Sequence, residues 1–178
     1  MILSDQAIMH EINLGHIVIR PFRPEALGSN SYDVHLAKTL ACYDVDVLDA
    51  KKHNPISYFE IPDQGFVLLP DRFYLGATEE YTETMIHVPF LEGKSSVGRL
   101  GIDIHATAGK GDVGFKNYWT LEISVKMPVR VYAGMPVGQI IYFEAQGEVL
   151  TPYYQKASAK YKDPSPLPKE SQMWRNYV

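Results

Sequence analysis

Apolar residues recur in two rhythms along this chain. Over positions 4–16 they fall at Ala7, Ile8, Ile12 and Leu14, which is one stripe of a helix turning every 3.6 residues. Ser4 can accept a hydrogen bond from a free N–H of the first turn, Asp5 suits the positive end of the helix dipole, and Gly15 stands where helices stop. The spacing predicts a helix over 4–16. A short strand follows at 16–20 and is closed by Pro21 and Pro24. From there to about residue 150, runs rich in Val, Ile, Tyr, Phe and Thr alternate with Gly, Pro, Asp and Asn, the punctuation of β structure. It predicts strands at 31–36, 66–69, 73–78, 86–90, 101–105, 120–125, 129–132 and 139–148. No long helical pattern intervenes and no internal repeat is visible, so the fold class is all-β, a barrel or jelly-roll sandwich with a short N-terminal helix. Segment 40–63 is polar and irregular, and reads as an insertion or edge hairpin.

After residue 150 the pattern changes. Lys156, Lys160, Lys162 and Lys169 are interleaved with four prolines between Pro152 and Pro168. A tail of this kind is often disordered. Tyr153, Tyr154, Tyr161 and Trp174 give it more aromatic content than disorder favours, which points to an arm that orders over a ligand. The chain therefore divides into a β domain, 1–150, and a C-terminal arm, 151–178.

With 178 residues the chain suits one domain with a core of its own. A net charge of -4 and a pI near 5.8 argue against a nucleic-acid polymer as partner, since such proteins carry a basic surface. A small anion is not excluded, because a few placed cations and N–H groups suffice for one. The single cysteine, Cys42, rules out an intrachain disulfide and a zinc site made of several thiolates, and reads as a small apolar residue. The N-terminus lacks a signal-peptide pattern, and no apolar run nears the roughly 20 residues of a membrane span. The expected location is cytoplasmic, with no membrane partner. His10, His16, His35, His53 and His87 show no metal-ligand spacing, and His105 reads as a structural hydrogen-bonding residue.

The chemistry concentrates in two loops and one strand. Glu92-Gly93-Lys94-Ser95-Ser96-Val97-Gly98-Arg99-Leu100-Gly101 combines glycines, hydroxyls and two cations, resources that suit phosphate. Its order is not that of a P-loop, and a surface turn between strands explains it equally well. A second glycine-rich loop, 105–115, carries Asp112. Then Glu122 interrupts a strand, sharing a face with Thr120 while Leu121 and Ile123 take the other. Such a glutamate is usually solvated, but one lining a pocket is placed for proton transfer.

These residues carry a resemblance. Gly-Lys-Ser-Ser-Val-Gly-Arg-Leu-Gly at 93–101, Thr-Ala-Gly at 107–109, Asp-Val-Gly-Phe at 112–115, Thr-Leu-Glu at 120–122 and Gly-Met-Pro-Val-Gly-Gln at 134–139 resemble the dCTP deaminase family of the dUTPase-like superfamily. Ile-Leu-Ser-Asp at 2–5, Ser-Tyr-Asp-Val-His-Leu at 31–36, Tyr153 and Ala-Lys-Tyr at 159–161 match as well, in order. The resemblance implies a distorted β-barrel or jelly-roll subunit of dUTPase-like type. It implies a homotrimer with sites at subunit interfaces, an arm closing over each, and magnesium bound through the triphosphate of dCTP or a dUTP-type nucleotide. It implies no protein-held metal, and the His-x-Glu and Pro-Cys-x-x-Cys pattern of zinc deaminases is absent.

The resemblance also assigns roles. Glu122 is the proton shuttle of hydrolytic deamination, with Ser95 and the carbonyl of Ala108 orienting the water and Arg99 stabilising charge beside the base. Lys94, Ser96, Tyr153 and Lys160 meet the triphosphate, Phe115 lies under the deoxyribose, and Asp112 meets the 3′-hydroxyl or holds a water. The first reading is deamination of dCTP to dUTP and ammonia. The alternative is a bifunctional enzyme that goes on to dUMP and pyrophosphate using Asp112, as Thr107-Ala108-Gly109 favours. A non-catalytic nucleotide-binding regulator is a third reading, and an unrelated β-sandwich interaction protein a fourth. Two departures bear on the choice. Lys110-Gly111 precedes the aspartate where an aliphatic residue is usual, and Lys162-Asp163-Pro164 replaces the glutamine expected after Lys-Tyr.

Overall fold

The computed structural model describes residues 1–177. In chain order the elements are α1 (Asp5–Asn13), β1 (Ile17–Arg20), β2 (Tyr32–His35), β3 (Thr39–Tyr43), β4 (Ile56–Glu60), β5 (Phe66–Leu68), β6 (Tyr74–Thr84), β7 (His87–Gly93), α2 (Ser95–Gly98), β8 (Ile102–Asp103), β9 (Lys116–Val125), β10 (Val129–Val131) and β11 (Pro136–Glu144). Ser4 caps α1, its Oγ accepting from the Ala7 N–H at 3.3 Å. The helix is shorter than the predicted 4–16. Gly15 takes a φ of 75° there and turns the chain into β1, a conformation that costs any other residue a Cβ clash.

The antiparallel strands curl into two main sheets. One runs β4-β3-β6-β9-β8, with β1 on the far part of β6; the other runs β2-β11-β7, and β10 pairs β5 separately. Tyr32, Leu36, Leu40, Leu121, Ile140 and Tyr142 are fully buried at the heart of one core cluster. The expectation of an all-β barrel or jelly-roll with a short N-terminal helix is met by a curled antiparallel half-barrel.

One segment adds to the sequence reading and two differ from it. Segment 40–63 forms an edge hairpin, β3 with β4, yet Leu40 and Ala41 are fully buried, so this hairpin also builds core. β6 runs on to Thr84, past the predicted end at 78, with its register against β9 shifted between Ala77 and Tyr81. At that irregularity Glu80 is fully buried and bonded to the Arg23 guanidinium, to the His35 backbone N–H at 2.9 Å and to His35 Nδ1 at 2.6 Å. A buried carboxylate is tolerable only with such partners. The predicted strand 101–105 shrinks to β8. Cys42 is half-buried against the core. His16 and His87, distant in sequence, meet at Glu11 Oε2, each ring nitrogen at 2.8 Å.

Candidate active site

β9 sets the geometry. Its exposure alternates at every residue, with Asn117, Trp119, Leu121, Ile123 and Val125 buried and Lys116, Tyr118, Thr120, Glu122 and Ser124 on the half-open face. Glu122 stands opposite Leu75 of β6. Its backbone N–H donates to the Ile104 carbonyl at 2.9 Å, and its Oε2 accepts from the Ala106 N–H at 2.8 Å. The strand thus fixes the glutamate's Cα, and the start of the second glycine-rich loop fixes one carboxylate oxygen.

That loop then runs along β7. The Leu91 N–H donates to the Gly109 carbonyl at 2.7 Å, and the Gly111 N–H to the Pro89 carbonyl at 2.8 Å. A Cβ at Gly109 would sit 2.4 Å from the Leu91 carbonyl oxygen, and one at Gly111 would sit 2.6 Å from Trp119 Cη2. Glycine is required at both positions for close approach. At Gly111 the indole of Trp119 fills the volume a side chain would take.

A cavity of about 340 Å³ opens between this loop, β9 and the C-terminal arm. Ala108, Asp112, Phe115, Glu122 and Tyr153 line it, as does Leu75. Phe115 packs on Trp119 with ring centroids 4.8 Å apart and on Tyr153 at 5.8 Å, so one side of the cavity is aromatic. Asp112 carries the opposite character. Lys110 Nζ lies 2.9 Å from one of its oxygens and Lys156 Nζ 2.9 Å from the other. The hydrogen bond from Lys110, then that from Lys156, holds its carboxyl below the ordinary carboxylate range, against the opposing pull of partial burial.

The remaining residues singled out in the sequence stand elsewhere. Ser95, Ser96 and Arg99 belong to α2 and its C-terminal cap, and Arg99 NH1 donates to Ser95 Oγ at 2.7 Å. Lys94 pairs with Asp33 of β2. None of these four lines the Glu122 cavity, nor does Lys160 of the arm. Among the described residues the His105 ring has no hydrogen-bond partner. Its Nε2 stays 3.7 Å from Glu92, and its Nδ1 is buried without a partner.

The arm supplied what sequence reasoning missed. Tyr161, Ser165, Leu167 and Lys169 form a wall of the cavity. Buried Asn117 holds that wall: its Nδ2 donates to the carbonyls of Tyr161 at 3.1 Å and Asp163 at 3.3 Å, and its Oδ1 accepts from the Ser165 N–H at 2.9 Å. Farther along, Lys169 N–H donates to Thr120 Oγ1 at 3.2 Å, and the hydroxyl of Tyr58, from β4, donates to the Pro168 carbonyl at 3.1 Å. A signal for Asn117 existed. It falls in phase with Trp119, Leu121 and Ile123, and an amide at a core position needs partners.

Two carboxylates, Asp112 and Glu122, thus share one partly aromatic cavity on a curled antiparallel β scaffold. Among the described residues no group of three or more His, Cys, Asp or Glu side chains is arranged to hold a metal ion. No helix among them is long and apolar enough to cross a membrane.

Comparison with known proteins gives the family. Residues 2–145 match the model of the dCTP deaminase-like family, and the chain belongs to it. A Clostridium acetobutylicum relative named "dCTP deaminase, dUMP-forming" is 48% identical over 163 residues, 92% of this chain and 91% of that one. A protein of the same name from Leptospira biflexa is 47% identical over 149 residues, 84% of this chain and 85% of that one. Among solved structures, a 2'-deoxycytidine 5'-triphosphate deaminase from Agrobacterium tumefaciens superposes with a TM-score of 0.65 at 20% identity. The match covers 81% of this chain but only 48% of that one, about half its length, so it speaks to the fold.

Proposed function

We propose that this chain converts dCTP to dUMP, ammonia and pyrophosphate, both steps occurring in the Glu122 cavity. The observation that carries this reading is the pairing of two carboxylates in unlike surroundings: Glu122 accepts a single backbone N–H, whereas Asp112 is held by two ammonium groups. Deamination alone is the first reading of the motifs, with Thr107-Ala108-Gly109 already pointing to the two-step alternative; the dUMP-forming relatives favour that alternative.

In the first step water adds to C4 of cytosine. Glu122 takes its proton and returns protons to N3 and to the departing amine, so dCTP and water give dUTP and ammonia. General acid–base work of this kind contributes about 10²–10⁴ in rate. The Ala108 carbonyl, on the cavity wall, and Ser95 orient the water, and Arg99 stabilises charge developing on the base. In the second step Asp112 acts as base toward a water that attacks the α-phosphorus, and pyrophosphate leaves. Phe115 and Tyr153 pack the deoxyribose, and Lys94, Ser96 and Lys160 bind the phosphates.

Ser95 and Arg99 stand outside the cavity that holds Glu122, which fits a homotrimer in which α2 of one copy completes the pocket of the next. The arm, docked across the cavity through Asn117, fits a cover for the nucleotide. Magnesium carried on the triphosphate would take its shell from phosphate oxygens and water and so suits a site without clustered ligands; when bound, it offsets phosphate charge. A cytoplasmic location suits the substrate.

The test is incubation with dCTP and magnesium, following ammonia, dUTP, dUMP and pyrophosphate together. The wild type should give ammonia and pyrophosphate in equal amounts, Glu122→Gln should give neither, and Asp112→Asn should stop at dUTP. Absence of ammonia would overturn the reading; nucleotide binding without turnover would then identify a regulator.

A further inference from the structure

The deamination step leaves the two lysines beside Asp112 without a task. Lys110 and Lys156 approach different oxygens of one carboxylate, each at 2.9 Å, from different parts of the chain. Lys110 belongs to the glycine-rich loop and bridges to Phe90 of β7. Lys156 follows a single helical turn, Tyr153–Gln155, at the root of the arm. That turn is fastened to the loop by the Tyr153 N–H, which donates to the Val113 carbonyl at 2.8 Å. Asp112 is therefore gripped from its own loop and from the arm at once. A carboxylate with both oxygens engaged cannot swing without breaking an ion pair. For a base that must meet one water at one phosphorus, orientation controls rate.

We propose that Lys110 and Lys156 are a positioning pair for the phosphoanhydride step, orienting Asp112 and making docking of the arm root a condition of cleavage. The inference rests on the two-step reading above. In that step a water oxygen bonds to the α-phosphorus and Asp112 takes the water proton. The bond from the α-phosphorus to the bridging oxygen breaks, and pyrophosphate leaves with the electron pair. The charged groups that face Asp112 are Lys110 from its loop and Lys156 from the arm; toward β9 its cavity neighbours are the rings of Phe115 and Trp119.

The experiment compares Lys110→Met, Lys156→Met, the double variant, and Lys→Arg at each position, with ammonia and pyrophosphate measured in the same samples at saturating dCTP. The lysine side chains are 55% and 41% exposed, so these substitutions spare the fold, and ammonia release reports on it directly. In the double variant pyrophosphate release should fall roughly tenfold or more relative to ammonia, with dUTP accumulating. Each single variant should show part of the effect, and arginine, which also reaches a carboxylate, should restore the ratio. An unchanged ratio, or parallel loss of both products, would overturn the inference alone. Ammonia with dUTP as the sole nucleotide product of the wild type would overturn the two-step reading and the inference together.

Discussion

Replacing Asn117 with alanine should release the arm while leaving the sheets standing. The side chain is buried and serves three backbone groups of the arm: the Tyr161 and Asp163 carbonyls and the Ser165 N–H. Alanine removes all three bonds and leaves the Tyr161 carbonyl and the Ser165 N–H without partners, while the Asp163 carbonyl keeps Lys169 Nζ at 2.6 Å. At about 1 kcal/mol net for each bond, the docked arm loses about 3 kcal/mol, which corresponds to a rise of about a hundredfold in the undocked population. The bonds from Lys169 to Thr120 and from Tyr58 to Pro168 remain, so opening concentrates around residues 160–166. Trypsin has sites there after Lys160 and Lys162. Where opening is fast relative to cutting, cleavage rate follows the open population. Limited proteolysis of the variant under native conditions should therefore run about a hundredfold faster than in wild type, and the Ser165 amide should lose hydrogen-exchange protection to match. A cleavage rate within about twofold of wild type would refute the reasoning, for it would mean that Asn117 is not what docks the arm.

Gly111→Val drives a side chain into Trp119 and Pro89, whose nearest atoms lie 2.6 and 2.9 Å from the ideal Cβ. It should cost about 1–3 kcal/mol, partly recovered by Trp119→Leu in the same chain; a wild-type melting temperature for the single variant would count against this. Glu11→Gln should destabilise the neutral-pH protein by about 1.5–3 kcal/mol, since Glu11 accepts from both His16 and His87. Burial pushes the Glu11 carboxyl up, but the hydrogen bonds and charges of His87 and His16 outweigh it and hold the carboxyl below its ordinary 4.5. Its contribution is therefore present above 4.5 and fades as pH falls through the lower folded value. Denaturant titrations should show the gap between wild type and Glu11→Gln closing in acid, and a gap that widened there would contradict the assignment.

The local code was the legible part. Alternation placed Leu121 and Ile123 on one face of a strand and Glu122 with Thr120 on the other, and the cap at Ser4 and the turn at Gly15 mark the helix much as read. Ordered motifs brought Ala108, Asp112, Phe115, Glu122 and Tyr153 onto one list, and the cavity unites them. At 40–63 the edge hairpin was legible but the burial of Leu40 and Ala41 was not, because it depends on which strand lies beside them.

Side-chain period and φ preference are properties of neighbouring residues, so the sequence by itself determined the β class, the faces of β9 and the presence of carboxylates at Asp112 and Glu122. Which cations reach those carboxylates is decided by chain segments far apart. Lys156 meets Asp112, Asn117 grips residues 161–165, and Trp119 fills the space that Gly111 leaves, only because the arm and loops converge on one side of β9. Ser95 and Arg99 show the converse: they lie close to the loop in sequence, yet neither lines the Glu122 cavity. Contacts of that kind depend on distance in space, which sequence separation does not encode, and so the tertiary structure alone decided them.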